Sequence, residues 1–276
     1  MLLRELLAEE RDVPRTDLLA IASHVLSLTK ERLLAEPVLA VDEASRATIR
    51  RLVAERRRGR PLAYITGTRE FFSEKFLVDE RVLVPRPETE IIVEEALALL
   101  EGRPGAAILD VGCGSGAIGI VLALKTGAWV VSIDMSADAL AVARRNMERL
   151  GVRERVDLLC GDLAAAIKED RRFDLIVANL PYVPDATWQQ LMPDVRDFEP
   201  KLALVGGEDG LDLYRRLVPE SVRLLRPGGF LLCEVDGREQ AQKLEMVCRK
   251  TGFSLVRLKR DFGGRERVVA ASWTSS

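Results

Sequence analysis

The segment from residue 107 to residue 124 constrains the fold of this chain more than any other. Residues 107–111 form a short apolar run typical of a strand, residues 112–116 are rich in glycine, and residues 117–124 have the composition of a helix. Glycines allow a sharp turn and let the backbone approach a ligand closely. A strand, a glycine turn and a helix in this order predict an α/β domain with a ligand site at the turn.

Two classes of cofactor fit this turn. Residues 114–119 match the dinucleotide fingerprint Gly-x-Gly-x-x-Gly, so a nicotinamide-dependent enzyme has to be considered. Asp110 favours instead a ligand with a cationic amino-acid portion, such as S-adenosylmethionine. Asp134 ends a second predicted strand about 20 residues beyond the turn, where an acid can bind two ribose hydroxyls of either cofactor.

The next two predicted strands also end in polar residues. Asp162 and Leu163 follow the third strand, where the acid can accept a hydrogen bond from an adenine amino group and the leucine can cover one face of the ring; a solvated loop acid is the alternative. A fourth apolar run, residues 173–178, ends at Asn179. Ligands of open parallel sheets bind outside the carboxyl ends of the strands. The sequence therefore predicts one site formed by four strand ends.

The segment Asn179-Leu180-Pro181-Tyr182 is where we expect the chemistry. The Asn179 side-chain oxygen can accept a hydrogen bond from an NH2 group. Pro181 holds Leu180 extended, so the Leu180 carbonyl can accept from the same group. The Tyr182 ring can stack on the planar group that carries it. The segment predicts a clamp for a planar amide or exocyclic amine, and a plain Asn-Pro turn is the alternative.

Composition narrows the class of protein. The chain has 276 residues, of which 47% are hydrophobic and 30% charged, and its net charge is -2. These values are ordinary for a globular protein and give no overall attraction to nucleic acid. Four scattered cysteines and one histidine form no metal-ligand pattern, so we expect no metal. The longest uncharged run is too short to span a bilayer, and we expect a cytoplasmic protein.

The rest of the chain divides into three parts. Residues 1–60 carry apolar residues at helical spacing and predict a small helical bundle. Residues 61–84 contain short β-like pieces and predict a hairpin linker. Residues 85–276 contain the predicted sheet. At the start of this part, two prolines flank Arg86 and would hold it rigidly over whatever lies beneath.

The chain resembles the N5-glutamine methyltransferases of peptide chain release factors, the PrmC/HemK family, over nearly its whole length. The glycine turn and the Asn-x-Pro-Tyr box occur in many methyltransferases. Residues 82–90, with Pro-Arg-Pro-Glu-Thr-Glu, and Phe-Glu-Pro at residues 198–200 are more specific. Residues 60–67 and 206–211 also match. The family usually has two prolines after the asparagine, where this chain has Leu180 first; Asn-Leu-Pro-Tyr also resembles the box of enzymes that dimethylate adenine in ribosomal RNA.

This resemblance implies a fold and a reaction. The fold is α/β, a seven-stranded Rossmann-like class I methyltransferase sheet with an antiparallel edge pair, a linking β-hairpin and an N-terminal helical domain that recognises the substrate protein. The reaction moves a methyl group from S-adenosylmethionine to the glutamine of the Gly-Gly-Gln motif in class I release factors, which tunes translation termination and leaves S-adenosylhomocysteine. We expect a monomer with no membrane or nucleic-acid partner. The alternative is a methyltransferase acting on adenine in RNA or DNA.

The resemblance and the residues together assign the site. The expected catalytic residues are Asn179, Leu180, Pro181 and Tyr182, and these four with Arg86 form the expected substrate site. The expected S-adenosylmethionine site consists of Asp110, Gly112, Cys113, Gly114, Ser115, Gly116, Asp134, Asp162, Leu163 and Asn179. A module that only bound S-adenosylmethionine would keep the cofactor pocket and have no use for Asn179 as a clamp for a substrate amide.

Overall fold

The structure is a computed structural model that describes residues 2–36, 38–168 and 173–274. The chain forms two compact units. The first comprises Met1–Thr68 and Met192–Phe198, and the second comprises Arg69–Leu191 and Glu199–Ser276. Within the described ranges, no helix combines the length and the apolar composition that crossing a membrane requires.

Helices make up most of the first unit and flank a sheet in the second. In chain order they are α1 (Leu3–Glu9), α2 (Arg15–Leu26), α3 (Lys30–Ala35), α4 (Glu43–Arg57), α5 (Leu62–Thr66), α6 (Glu90–Leu100), α7 (Ala117–Thr126), α8 (Ala137–Arg149), α9 (Pro193–Arg196), α10 (Asp212–Leu224) and α11 (Arg238–Thr251). Short 3-10 turns span Pro87–Thr89, Asp185–Gln190 and Lys201–Ala203.

The strands form a small sheet and a large one. They are β1 (Thr68–Phe71), β2 (Glu74–Leu77), β3 (Ala107–Val111), β4 (Trp129–Asp134), β5 (Val156–Cys160), β6 (Phe173–Ala178), β7 (Leu225–Glu234), β8 (Leu255–Arg260) and β9 (Glu266–Trp273). β1 and β2 pair with each other alone, within the stretch where the sequence predicts a hairpin.

The first unit packs its helices around an apolar cluster of its own. α2 and α4 lie against each other, and α5 packs on both. The buried pairs Leu18 and Ile21 on α2 and Ile49 and Val53 on α4 have the spacing of three to four residues that keeps one helix face apolar. The Asp42 carboxylate accepts a hydrogen bond from the Ser45 N–H at 2.9 Å and so caps α4. Because Ile65 on α5 joins this cluster, the unit extends beyond residue 60.

The second unit is built on a seven-stranded sheet with the order β5-β4-β3-β6-β7-β9-β8. The first five strands in this order are parallel, while β9 runs antiparallel to both β7 and β8. The expected seven-stranded sheet with an antiparallel edge pair is therefore confirmed. Helices cover both faces, and successive residues of a central strand point to opposite faces. On β6, Val177 packs in the cluster that includes α6 and α7, and Ile176 in the one that includes α10 and α11.

The strand order reverses between β3 and β6. From β3 the chain moves outward through β4 to β5, then returns to place β6 on the other side of β3. The register aligns Val111, the last residue of β3, with Ala178, the last residue of β6. The glycine turn and Asn179 therefore follow neighbouring strand ends. Such a switch point leaves a crevice in which ligands of open α/β sheets bind.

Candidate active site

A cavity of about 400 Å³ opens in the second unit at the carboxyl ends of β3, β4, β5 and β6. This volume is within the usual range for small-molecule sites, about 300–1,000 Å³. Most residues expected at the two sites line it: Arg86, Gly112, Cys113, Gly114, Ser115, Asp134, Asp162, Leu163, Asn179, Leu180 and Pro181. Three expected residues, Asp110, Gly116 and Tyr182, do not line it.

The glycine turn brings the backbone close to the end of β6. Gly112 has a φ of +74°, which residues with a Cβ rarely adopt. A Cβ at this position would also lie 2.8 Å from Cδ2 of Leu180, so the turn and the Asn-Leu-Pro-Tyr box need a glycine here to fit together. Gly116 serves α7 instead, because a Cβ there would lie 2.8 Å from Cδ1 of Ile120.

Asp134 is suited to bind hydroxyl groups. One carboxylate oxygen accepts the Gly114 N–H at 2.8 Å and the other accepts the Ser136 N–H at 2.9 Å. Burial raises the pKa of Asp134, and these two backbone donors oppose the rise. A carboxylate offers about four acceptor positions, so both oxygens retain capacity for ligand hydroxyls. This fits the ribose role that the sequence suggests.

Asp110 lies behind the turn. It is fully buried, and its Oδ2 accepts hydrogen bonds from the Gly119 N–H at 3.0 Å and the Ser132 hydroxyl at 3.4 Å. No described residue donates a hydrogen bond to its Oδ1. Burial raises the pKa of Asp110 to about 7. The carboxyl therefore braces the start of α7, and its expected contact with a cationic ligand group stays a prediction.

Two residues after β5 form another part of the wall. Leu163 is buried with a φ of +49°, an uncommon backbone conformation for a leucine that is typical of constrained sites. Asp162 is half exposed and pairs with Nη2 of Arg216 at 2.5 Å. Asp162, Leu163 and Arg216 all line the cavity. The Asp162 carboxylate therefore lies at the cavity wall and is already paired with Arg216.

The Asn179 side chain has a defined hydrogen bond. Its Nδ2 donates to Oγ1 of Thr89 at 3.2 Å. No described residue donates a hydrogen bond to the Asn179 Oδ1. This oxygen is not a buried atom without a partner, so a ligand can reach it. An acceptor oxygen is thus available at the cavity wall, where the sequence predicts that a substrate NH2 group binds.

The Leu180 backbone is held by a residue that the sequence analysis did not identify. Tyr214 on α10 is fully buried, and its hydroxyl accepts the Leu180 N–H at 3.1 Å and donates to the Glu234 carbonyl at 2.6 Å. A proline at position 180 would have no N–H to bind. Tyr214 therefore supplies the partner that leucine requires, and nothing in the sequence near residue 214 indicates this contact.

Tyr182 points away from the cavity. Its ring packs against the core, and its hydroxyl lies 3.5 Å from Oε1 of Glu234. Burial raises the pKa of Glu234 to about 7. The expected stacking of Tyr182 on a substrate amide stays a prediction. Glu234 was also missed, although a charged residue inside the apolar run of β7 is a signal that could have identified it.

The two most specific sequence segments meet in space. Arg86 Nη2 pairs with Oε1 of Glu199, and Oε2 of Glu199 accepts the Val84 N–H at 3.2 Å. The Glu199 side chain is 1% exposed and that of Arg86 is 33% exposed. The Pro-Arg-Pro segment and the Glu199-Pro200 pair thus form one charged contact, which leaves part of Arg86 at the cavity wall.

Comparison with known proteins gives matches in both compact units. Residues 2–67 match a family described as the PrmC N-terminal domain, and residues 108–198 match a family described as a methyltransferase domain. A release factor glutamine methyltransferase of Geobacter sulfurreducens is 46% identical over 224 residues, 81% of this chain and 77% of the relative. The protein of the same name from Bordetella pertussis is 40% identical over 268 residues, 97% of each chain.

Solved structures share the fold at lower identity. A methyltransferase from Pyrococcus furiosus aligns with a TM-score of 0.57 and 21% identity, covering 74% of this chain and 91% of that one. A Thermus thermophilus 16S rRNA N2 G1207 methyltransferase in complex with AdoMet and guanosine aligns with a TM-score of 0.55 and 21% identity, covering 74% and 49%. These similarities establish the class I methyltransferase fold of the second unit.

Proposed function

This chain belongs to the release factor glutamine methyltransferases, and from that membership we propose that it methylates the glutamine of the Gly-Gly-Gln motif in class I release factors. The relatives match both units, so the family resemblance extends beyond a shared methyltransferase fold. Within the site, the proposed reaction rests on Asn179, which lies at the cavity wall and whose Oδ1 accepts no hydrogen bond from any residue that the structure describes. The enzyme uses S-adenosylmethionine as the methyl donor, and methylation of the release factor tunes translation termination.

The cofactor fits the residues that line the cavity. The turn at residues 112–116 brings the backbone to the cavity wall at Gly112 and Gly114 without side-chain bulk, so a ligand can approach it closely. Asp134 offers its carboxylate to the ribose hydroxyls, and Asp162 and Leu163 offer an acceptor and an apolar surface to the adenine. When bound, S-adenosylmethionine supplies a methyl group on a positively charged sulfur, which becomes neutral as the methyl group leaves.

The Asn179 box orients a weak nucleophile. The lone pair of an amide nitrogen is delocalised into the carbonyl, so the nitrogen reacts only when it is well aligned. Asn179 Oδ1 and the Leu180 carbonyl accept the two N–H groups of the substrate glutamine and direct its nitrogen into the cavity. Alignment of this kind contributes up to about 7–11 kcal/mol in ideal cases. No strong base is needed, because a methylated amide cation is acidic and loses its proton to water or a carbonyl.

The remaining assignments complete the proposal. Arg86 contributes to the substrate site from the cavity wall, and Tyr182 stacks on the amide plane if its ring turns from its present position. Residues 1–60 recognise the release factor, residues 61–84 link the domains, and residues 85–276 carry the reaction. The enzyme acts in the cytoplasm as a monomer, with no nucleic acid or membrane as partner.

The proposal is tested by offering competing acceptors. The protein is incubated with radiolabelled S-adenosylmethionine and, in parallel, with a class I release factor, the same factor with its Gly-Gly-Gln glutamine replaced by alanine, RNA, and DNA. We expect label only in the intact release factor. Label in RNA or DNA and none in the release factor would refute the proposed substrate and favour the adenine alternative.

The role of Asn179 is tested separately. Asn179→Ala should lower the methyl-transfer rate by at least about 100-fold, since removing one group that orients or stabilises the reacting atoms typically costs this much. Binding of S-adenosylmethionine, measured by calorimetry, should change little. Gln242→Ala is a matched control, because Gln242 is an exposed amide on α11 that does not line the cavity. Activity of Asn179→Ala equal to that of this control would eliminate the clamp mechanism.

A further inference from the structure

The Thr89 hydroxyl is committed to Asn179. Thr89 is 4% exposed and directly precedes α6, yet its side chain makes no capping hydrogen bond to that helix. A threonine at a helix start normally contributes by capping, so the helix does not account for this hydroxyl. The Thr89 hydroxyl instead accepts a hydrogen bond from Nδ2 of Asn179 at 3.2 Å, a residue 90 positions further along the chain.

Hydrogen-bond chemistry sets the direction of this contact. An amide nitrogen can only donate, so Oγ1 of Thr89 accepts from Asn179 and must direct its own proton to another acceptor. The neighbouring Glu234 carboxyl is a candidate, because Thr89 lowers the pKa of this carboxyl and no described residue donates a hydrogen bond to its buried Oε2. Glu234 is 1% exposed, and the Tyr182 hydroxyl approaches its Oε1 as well. The observed bond therefore makes Oγ1 of Thr89 the acceptor and leaves the Thr89 proton for another group.

The orientation of the Asn179 amide decides what the site can bind. The two orientations of an asparagine amide have nearly the same shape, and hydrogen-bond partners select between them. With Nδ2 on Thr89, Oδ1 is presented to the cavity and complements the N–H of a glutamine amide. In the reverse orientation, NH2 would face NH2, and the substrate donor would have no acceptor.

We propose that Thr89 is a positioning residue whose hydroxyl holds the Asn179 amide in the orientation that accepts the substrate N–H. This inference deepens the proposed function and rests on the role of Asn179 in it. Thr89 acts through Asn179 and transfers no proton to the substrate. Its contribution is to prevent the reverse orientation, which cannot bind the amide productively.

Two substitutions separate the hydroxyl from the shape of the side chain. Thr89→Val keeps the β-branched shape and removes the hydroxyl, whereas Thr89→Ser keeps the hydroxyl. We expect Thr89→Val to lower kcat for release factor methylation about tenfold, equivalent to about 1.4 kcal/mol, with the KM for S-adenosylmethionine within about twofold of the wild-type value. Thr89→Ser should restore most of kcat. Thermal unfolding of both variants shows whether either is merely less folded at the assay temperature.

The outcomes distinguish this inference from the proposed function. Thr89→Val with wild-type kcat, or folded Thr89→Ser as slow as Thr89→Val, would overturn the role of the hydroxyl. Wild-type protein that leaves the release factor unlabelled would instead overturn the proposed function. Neutron diffraction from deuterated crystals tests the orientation without any activity: two deuterons on the Asn179 atom that faces Thr89 support the inference, and an oxygen there contradicts it.

Discussion

Tyr214→Phe is the substitution whose effect the structure predicts most directly. The phenol is fully buried and joins the ends of β6 and β7 through the Leu180 N–H at 3.1 Å and the Glu234 carbonyl at 2.6 Å. Phenylalanine keeps the ring and removes both hydrogen bonds. A buried polar group left without a partner costs about 1–3 kcal/mol, so two such groups predict a loss of about 2–6 kcal/mol in the free energy of unfolding of the second unit.

The unusual leucine offers a matched control for this effect. The family usually carries proline at position 180. In a Leu180→Pro background, this position has no N–H that could be left unpaired. Tyr214→Phe should then cost only about 1–3 kcal/mol, because only the Glu234 carbonyl loses its partner. The difference between the two backgrounds is the coupling between the phenol and the Leu180 N–H.

The assay is thermal or urea unfolding of the four proteins, followed by methyl transfer to a release factor at a temperature where each is folded. Tyr214→Phe should also lower kcat, since the Leu180 carbonyl is no longer held from behind. The reasoning is refuted if Tyr214→Phe costs the same in both backgrounds, or less than about 0.5 kcal/mol in the wild-type chain, a value ordinary for surface substitutions.

Two further predictions concern buried groups near the site. The Cβ that Gly119→Ala adds would lie 2.6 Å from Oγ of Ser132 and 2.7 Å from Oδ2 of Asp110, so α7 must shift. We expect a loss of about 1–3 kcal/mol in the free energy of unfolding and weaker binding of S-adenosylmethionine, measured by calorimetry. Unchanged binding would contradict the bracing role of Asp110. Burial raises the pKa of Glu234 from 4.5 to about 7, so its contribution to folding stability is fully present below about pH 4.5 and is lost as the pH rises through about 7. Glu234→Gln should therefore lose less stability than the wild type between about pH 5 and about pH 8 in urea unfolding, and parallel curves for the two proteins would show that Glu234 does not titrate in this range. The pKa of Asp110 is raised as well, so Asp110 also makes stability fall as the pH rises. The stability of Glu234→Gln should therefore still decrease somewhat with pH.

Local patterns were enough to predict the framework of the site. The glycine turn, the alternation of strands and helices, and the polar residues at four strand ends are features of consecutive residues. Parallel strands place their carboxyl ends along one edge, so residues that end different strands meet without any further information. The cavity lined by Gly112, Asp134, Leu163 and Asn179 follows from this rule. The change of period at about residue 60 predicts a division of the chain there, whereas the first compact unit continues through α5 to Thr68.

Contacts between distant segments could not be read from local patterns. Arg86 and Glu199 pair across 113 positions, and each was visible only as a member of an unusual motif. The burial of Asp110 behind the turn, and the rotation of Tyr182 toward Glu234, depend on how the strand ends twist and pack, which periodicity does not describe.

The partners of the Asn179 box show the same division most clearly. The sequence identifies Asn179 and Leu180 as acceptors for an NH2 group, because their chemistry and their place after a strand are local properties. The orientation of the amide and the support of the backbone come from Thr89 and Tyr214, which lie 90 and 34 positions away and reach the box only when α6 and α10 pack on opposite faces of the sheet. A hydrogen bond needs its donor and acceptor within a few tenths of an ångström of their preferred separation, and in this protein tertiary packing alone brings these atoms together.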